Sequence, residues 1–263
     1  MRAGLPQVVR RRLDPQQRYG LRLTLLGLTM VLVAVPFSTL LFQVLAKGSL
    51  TRLDGSLADR LNAEVHDRPA VLRFLEAITW LGRPGWLAVV IGAAAAFAWW
   101  RGRRRLALFL VVTALGGGLV DSLVKILVDR PRPVVDHPVI TAFGKSFPSG
   151  HAMSSLVCYG AVLLAFLPAV RRRLRPLAVL LTALLVLAIG SSRLLLGVHF
   201  LTDVLGGFVL GLAWLAGAVA VFEIWRTEEG RRSAEPLAEG VEPEAGPALR
   251  GDPAGHAGSA DTG

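Results

Sequence analysis

Three short stretches of this chain carry residue types that bind anions and transfer protons. In the first, Lys125 is followed seven residues later by Arg132, with Pro131 and Pro133 stiffening the chain around the arginine. In the second, Pro148-Ser149-Gly150-His151 joins a hydroxyl, a residue that lets backbone amides approach an anion closely, and an imidazole that titrates near neutral pH. A helix beginning here would aim its positive end at the same spot. In the third, Ser192-Arg193 is followed by His199 and then Asp203. If His199 opens a helix, Asp203 lies one turn later on the same face. Its carboxylate could then accept a hydrogen bond from one imidazole nitrogen and leave the other as a nucleophile.

Each stretch taken singly has a plainer reading. Basic residues at the end of an apolar segment commonly reach out to lipid headgroups, and a lone histidine at a helix start is more often a cap or a surface residue. Together they point elsewhere. Lys125, Arg132 and Arg193 would repel one another unless an anion lay among them. Phosphate fits, because arginine offers planar multidentate donors and lysine a mobile charge. Asp129, Asp136, His137 and Asp203 are the metal-ligating types nearby. Their spacing matches no recognised metal motif and three cations beside them oppose a divalent ion, so no metal is expected. Asp129 reads instead as a partner for Arg130 or Arg132.

The elements that must hold these residues are apolar blocks. Of 263 residues, 53% are hydrophobic, and they run in blocks too long for the stripes of a soluble domain, which places the chain in the membrane class. The formal charge of +10 falls mostly in arginine clusters between the blocks, which fits membrane topology better than nucleic acid. Cys158, the single cysteine, excludes an intramolecular disulfide and reads as a core residue. A span needs roughly 20 apolar residues. Six segments qualify, at about Leu23–Ala46, Pro84–Trp100, Leu106–Leu127, Ala152–Leu167, Pro176–Gly190 and Leu201–Ile224. The first is longer than the core of a signal peptide and reads as a retained span. Between the first two, Lys47–Gly82 interleaves charges with leucines and reads as one or two amphipathic helices on the membrane surface. The fold class is all-α, a polytopic bundle of six transmembrane helices with an amphipathic interfacial region between the first and second. Arg10–Arg12, Arg101 with Arg103–Arg105, and Arg171–Arg173 with Arg175 then fall on one side, which the positive-inside rule assigns to the cytoplasm. All three chemical stretches fall on the other side.

In order and internal spacing, the three stretches resemble the signature of the type 2 phosphatidic acid phosphatase superfamily. The resemblance rests on Lys125 with Arg132-Pro133, on Pro148-Ser149-Gly150-His151, and on Ser192-Arg193 with His199 and Asp203, and no signature position departs from it. It covers about Leu72 to Ile224. The resemblance implies a lipid phosphatase that works without metal or cofactor. His199 would be the nucleophile, Asp203 its stabilising carboxylate, and His151 the acid and then the base. Lys125, Arg132, Ser149, Gly150 and Arg193 would hold the phosphate. Undecaprenyl diphosphate, phosphatidic acid and phosphatidylglycerol phosphate are the implied substrates, the first slightly favoured. A phosphotransferase using the same histidine is the nearest alternative. A non-catalytic lipid-phosphate binding or transport protein is more distant, because such a chain would be expected to have lost His199, His151 or Asp203.

The expected organisation is a cytoplasmic segment over residues 1–22, a first transmembrane helix over 23–46, an extracytoplasmic amphipathic region over 47–83, a catalytic helical core over 84–225 and a disordered cytoplasmic tail over 226–263. The protein would lie in the cell membrane as a multi-pass chain, with cytoplasmic termini and an extracytoplasmic active site. The lipid bilayer and a lipid phosphate are its expected partners, and nothing in the chain indicates an oligomeric state.

Overall fold

A computed structural model describes residues 34–136 and 138–251. Arg10–Arg12, the beginning of the first expected span, His137 and residues 252–263 lie outside the described residues. The described chain is all-helical. Its main helices are α1 (Ala34–Leu45), α2 (Ser49–Val65), α3 (Pro69–Trp80), α4 (Pro84–Trp100), α5 (Arg104–Val128), α6 (Gly150–Phe166), α7 (Arg175–Leu195) and α8 (Leu201–Glu228).

Proline sets several of the boundaries. It occupies the first turn of α3, α4 and α7, where its fixed φ suits a helix and its missing N–H costs nothing. The end of α5 is set differently. Asp129 adopts a left-handed conformation (φ 52) while its N–H still bonds the Lys125 carbonyl, and Pro131 and Pro133 then prevent the helix from resuming.

Four described helices or near-continuous helical stretches are long and apolar enough to cross a bilayer: α5, α6 continued to Ala169, α7 preceded by a short turn from Arg172, and α8. The expected span Pro84–Trp100 qualifies only together with α3, as a pair bent by 46° around Leu81-Gly82-Arg83. The amphipathic stretch Lys47–Gly82 is thus two helices of different kinds. α3 forms the bent pair with α4 and packs on α7, whereas α2 lies against both α7 and α8. Asp54, Ala58, Asn62 and Val65 recur at helical spacing along the buried face of α2, so its inward stripe contains two polar residues.

α6 is the central helix. It packs against α4, α5, α7 and α8, and 56% of its apolar window is buried against 28% for the windows of α5, α7 and α8. Those outer helices turn leucines outward instead, such as Leu115, Leu119 and Leu123 on α5 and Leu177, Leu184 and Leu187 on α7, as a lipid-facing surface requires.

The tail departs from expectation. Residues 226–251, expected to be disordered, continue α8 and then pack under the bundle, with Val241, Ala245 and Leu249 joining the core formed by Leu106, Leu164 and Phe222. Arginine explains the docking of a segment so rich in Glu, Pro and Gly. Arg226 is fully buried and donates to the Val241 carbonyl at 2.6 Å and to Glu244 at 2.8 Å. Arg101 donates to the Ala248 carbonyl at 2.6 Å, Arg175 to that of Ala238 at 2.7 Å, and Arg103 and Arg231 pair with the buried Glu242. Basic clusters expected to meet headgroups therefore hold the tail in part, while Arg171, Arg172 and Arg173 remain exposed. Burial of Val241 and Leu249 stabilises by roughly 1.5–3 kcal/mol each. Deleting the chain after Gly230 is expected to lower the unfolding temperature in detergent by several degrees. An unchanged melting curve would show that this packing carries no stability.

Candidate active site

The three stretches meet at the end of the bundle opposite the tail. Lys125 comes from the last turn of α5, Arg132 from the loop that follows, Ser149 from the boundary of α6, and Gly150 and His151 from its first turn. Arg193 lies in the last turn of α7, and Asp203 in the first turn of α8. His199 does not open that helix as expected. It occupies the turn before it, where Gly197 takes φ +68, a conformation that side chains with a Cβ rarely adopt. This turn lets the amides of Val198 and His199 both reach the Arg193 carbonyl, at 3.2 and 3.3 Å. The α6 boundary is drawn against α8 because Gly207 has no side chain: a Cβ there would lie 2.6 Å from the Ser149 carbonyl oxygen. The Ser149 amide donates to the Asp203 carbonyl at 2.9 Å.

Asp203 is the hub. It is fully buried, and both carboxylate oxygens accept hydrogen bonds. Oδ1 accepts from Arg130 at 2.6 Å. Oδ2 accepts from the Phe200 amide at 2.9 Å and from the Ser146 hydroxyl, and it lies 3.4 Å from His199 Nδ1. With Nδ1 turned to the carboxylate, Nε2 is the basic nitrogen, and Arg132 Nη1 donates to it at 3.0 Å. Arg132 is further anchored on the carbonyls of Val198 at 2.8 Å and Phe143 at 3.1 Å.

The cations are less bare than their sequence suggests. Lys125 pairs with Asp121 one turn earlier at 2.6 Å, a partner that the sequence reading did not assign. Asp129 pairs with Lys145 rather than with Arg130 or Arg132. Arg193 donates to the Thr79 hydroxyl on α3 at 2.8 Å, while its buried Nε has no protein partner among the described residues. The Ser149 hydroxyl is buried and unpartnered in the same way. Buried donors of this kind favour an anionic acceptor. A Cβ on Gly150 would lie 3.0 Å from Lys125 Nζ, so this amine and the α6 N-terminus face the same small region. His151 feels the charges of Arg193, Arg132 and Arg83.

All eight residues singled out from the sequence gather here. Ser146, Thr79, Asp121, Arg130, Asp54 and Thr202 were not foreseen. Arg130 stands inside a recognised stretch, and Asp54 and Thr79 lie on inward faces of amphipathic helices. Ser146 carries no local signal at all.

A family model described as the PAP2 superfamily matches residues 105–226. Phosphatidylglycerophosphatase B of Bacillus subtilis is 32% identical over 153 residues, spanning 55% of this chain and 72% of that protein. Decaprenylphosphoryl-5-phosphoribose phosphatase of Mycobacterium tuberculosis is 34% identical over 152 residues, spanning 55% and 77%. The crystal structure of a transmembrane PAP2 type phosphatidylglycerolphosphate phosphatase from Bacillus subtilis superposes with a TM-score of 0.66 at 25% identity, covering 77% of this chain and 97% of that one.

Burial lowers the His199 pKa from its ordinary 6.5 to about 4, against the opposing pull of Asp203 and with reinforcement from Arg132 and Arg193. The folded imidazole is therefore neutral at pH 7. Between these two values the unfolded chain binds the proton and the folded chain does not, so this group's contribution to stability is lost as pH falls below about 6.5 toward 4. At about pH 5 the loss is about 2 kcal/mol. Unfolding of the wild type and His199→Gln, compared at pH 7 and pH 5, should show the wild type losing more by that amount. An equal response would mean that His199 is not held neutral by burial.

Proposed function

The chain belongs to the PAP2 superfamily, and from that premise we propose that it hydrolyses a membrane lipid phosphate through a phosphohistidine formed on His199. It is a phosphoric ester hydrolase and a multi-pass membrane protein. The observation that carries the mechanistic reading is the buried His199, with Asp203 at Nδ1, beside the unpartnered donors Ser149 Oγ and Arg193 Nε.

In this reading, phosphate entering between Lys125, Arg132, Arg193, Ser149 and the Gly150 amide draws the Arg132 guanidinium from Nε2 onto an equatorial oxygen. The lone pair on Nε2 is thereby freed. It attacks phosphorus in line, the bond to the leaving oxygen breaks, and His151 delivers the proton which that oxygen needs. Asp203 offsets the positive charge that develops on the imidazole. Water activated by His151 then cleaves the N–P bond and releases phosphate. A lipid acceptor in place of water would make the same intermediate serve a phosphotransferase.

Phosphatidylglycerophosphatase B and decaprenylphosphoryl-5-phosphoribose phosphatase, both named for removing phosphate from a lipid-linked headgroup, support a phosphomonoester such as phosphatidylglycerol phosphate. Undecaprenyl-diphosphatase BcrC of Bacillus subtilis, 33% identical over 115 residues and spanning 41% of this chain and 54% of that protein, supports the diphosphate first favoured, and the longer matches incline the reading to the phosphomonoester. Phosphatidic acid shares that chemistry. The arginine-rich end of the bundle favours the cytoplasm for the tail and the opposite side for the site.

Purified protein with chelator present is expected to release inorganic phosphate from phosphatidylglycerol phosphate or phosphatidic acid faster than from undecaprenyl diphosphate. His199→Ala is expected to lower turnover by at least about 10³-fold, as loss of a nucleophile does. Wild-type turnover in His199→Ala would remove the histidine from this role, and a faster rate on the diphosphate would reverse the substrate order. For orientation, a reporter fused after Arg175 should be cytoplasmic and one placed between Val134 and Gly144 extracytoplasmic. The opposite pattern would invert the topology.

A further inference from the structure

The Asp203 hub is tied to a second carboxylate from outside the matched family region. Asp54, on α2, is 2% exposed and lies in the stripe that α2 turns toward α7 and α8. Its Oδ1 accepts the Thr202 amide at 3.1 Å, so a residue of α2 satisfies one of the free amides in the first turn of α8. Its Oδ2 accepts from the Thr202 hydroxyl and from Arg130 at 2.9 Å. Arg130 is the shared cation: one nitrogen donates to Asp54, and the other to Asp203 at 2.6 Å and Thr202 at 2.7 Å. Its guanidinium stacks on the Phe200 ring with 4.1 Å to the centroid, which fixes its plane between the two carboxylates.

The charges in this chain of contacts explain why two carboxylates are needed. Arg130 holds Asp203 in place, but a lone guanidinium there would cancel the negative charge that His199 needs beside it when it becomes cationic. Asp54 restores the balance: two carboxylates against one guanidinium leave this trio with one net negative charge on the Nδ1 side of the imidazole. In a site removed from water, that difference is felt strongly.

We propose that Asp54 and Arg130 are positioning residues that hold Asp203 and keep it electrostatically effective toward His199, so that α2 completes the active site contained in the family region. The proposal rests on the reading of His199 as the nucleophile. Neither residue touches the phosphate; both act through Asp203.

The test is a cycle of Asp54→Asn, Arg130→Gln and the double variant, each assayed for kcat and KM on monodisperse protein, with His199→Ala as control. Outer-shell partners that orient metal-ligating histidines are worth about 10- to 100-fold in activity, and the same scale is expected where a carboxylate orients a nucleophilic histidine. Asp54→Asn is expected to lose that much in kcat with KM within about threefold, because the phosphate donors are untouched. The double variant should recover part of the loss, since removing both charges again leaves Asp203 with one net negative charge. A residue of purely structural value would change yield or melting temperature, while kcat per folded molecule stayed constant. Wild-type kcat in Asp54→Asn, or a double variant no faster than either single, would overturn the proposal. If Asp54→Asn cannot be purified, the comparison of the double variant with Arg130→Gln decides: a faster double supports the proposal and an equal or slower one sinks it. An active His199→Ala would instead overturn the reading of the nucleophile, whatever the cycle gave.

Discussion

A carboxylate with no access to water stays ionised only if the protein supplies its hydrogen bonds, and Asp203 takes them from two connections that lie far apart in the chain. Arg130 and Ser146 come from the long connection between α5 and α6, the Phe200 amide from the turn into α8, and His199 from the turn leaving α7. The helices must therefore end at one level for this residue to be tolerated at all. Removing one partner would leave a buried charge under-solvated, so the site and the register of the helix ends are a single constraint.

The rest of the bundle follows from that convergence. α6 is buried on most sides because its N-terminus must present Ser149, Gly150 and His151 beside α8, and Gly207 gives the room for that approach. The outer helices are free to show leucine to lipid, since the charged groups they contribute lie toward their ends. α3, bent against α4, brings Thr79 to Arg193, so the bent pair also reaches the site.

Charge is treated differently at the two ends of the molecule. At the tail end, Arg226 and its neighbours are matched to carboxylates and carbonyls within the chain, which turns a segment of disordered-looking composition into a packed cap. At the other end, Lys125 has Asp121, but Arg193 Nε and the Ser149 hydroxyl have no partner among the described residues. The first arrangement docks the tail through contacts within the chain, although Arg226 Nε and one Glu242 oxygen have no hydrogen bond among the described residues. The second keeps donors ready for an anion from outside.

The sequence by itself determined the helical class, the last four of the six expected spans and the eight residues that gather at the site. Apolar blocks of span length can satisfy their backbone in lipid only as helices, and the three motifs carry their chemistry in residue type and spacing. It fell short wherever a partner lies far along the chain. Nothing near Asp54 indicates that it meets Thr202 and Arg130, nothing near Ser146 points to Asp203, and the composition of 226–251 gave no sign that arginines elsewhere would dock it. Those contacts exist only once the helix ends are assembled, because a buried hydrogen bond or ion pair belongs to two surfaces and local pattern describes one. Tertiary structure thus decided which carboxylate is held, by what, and how much negative charge remains beside His199.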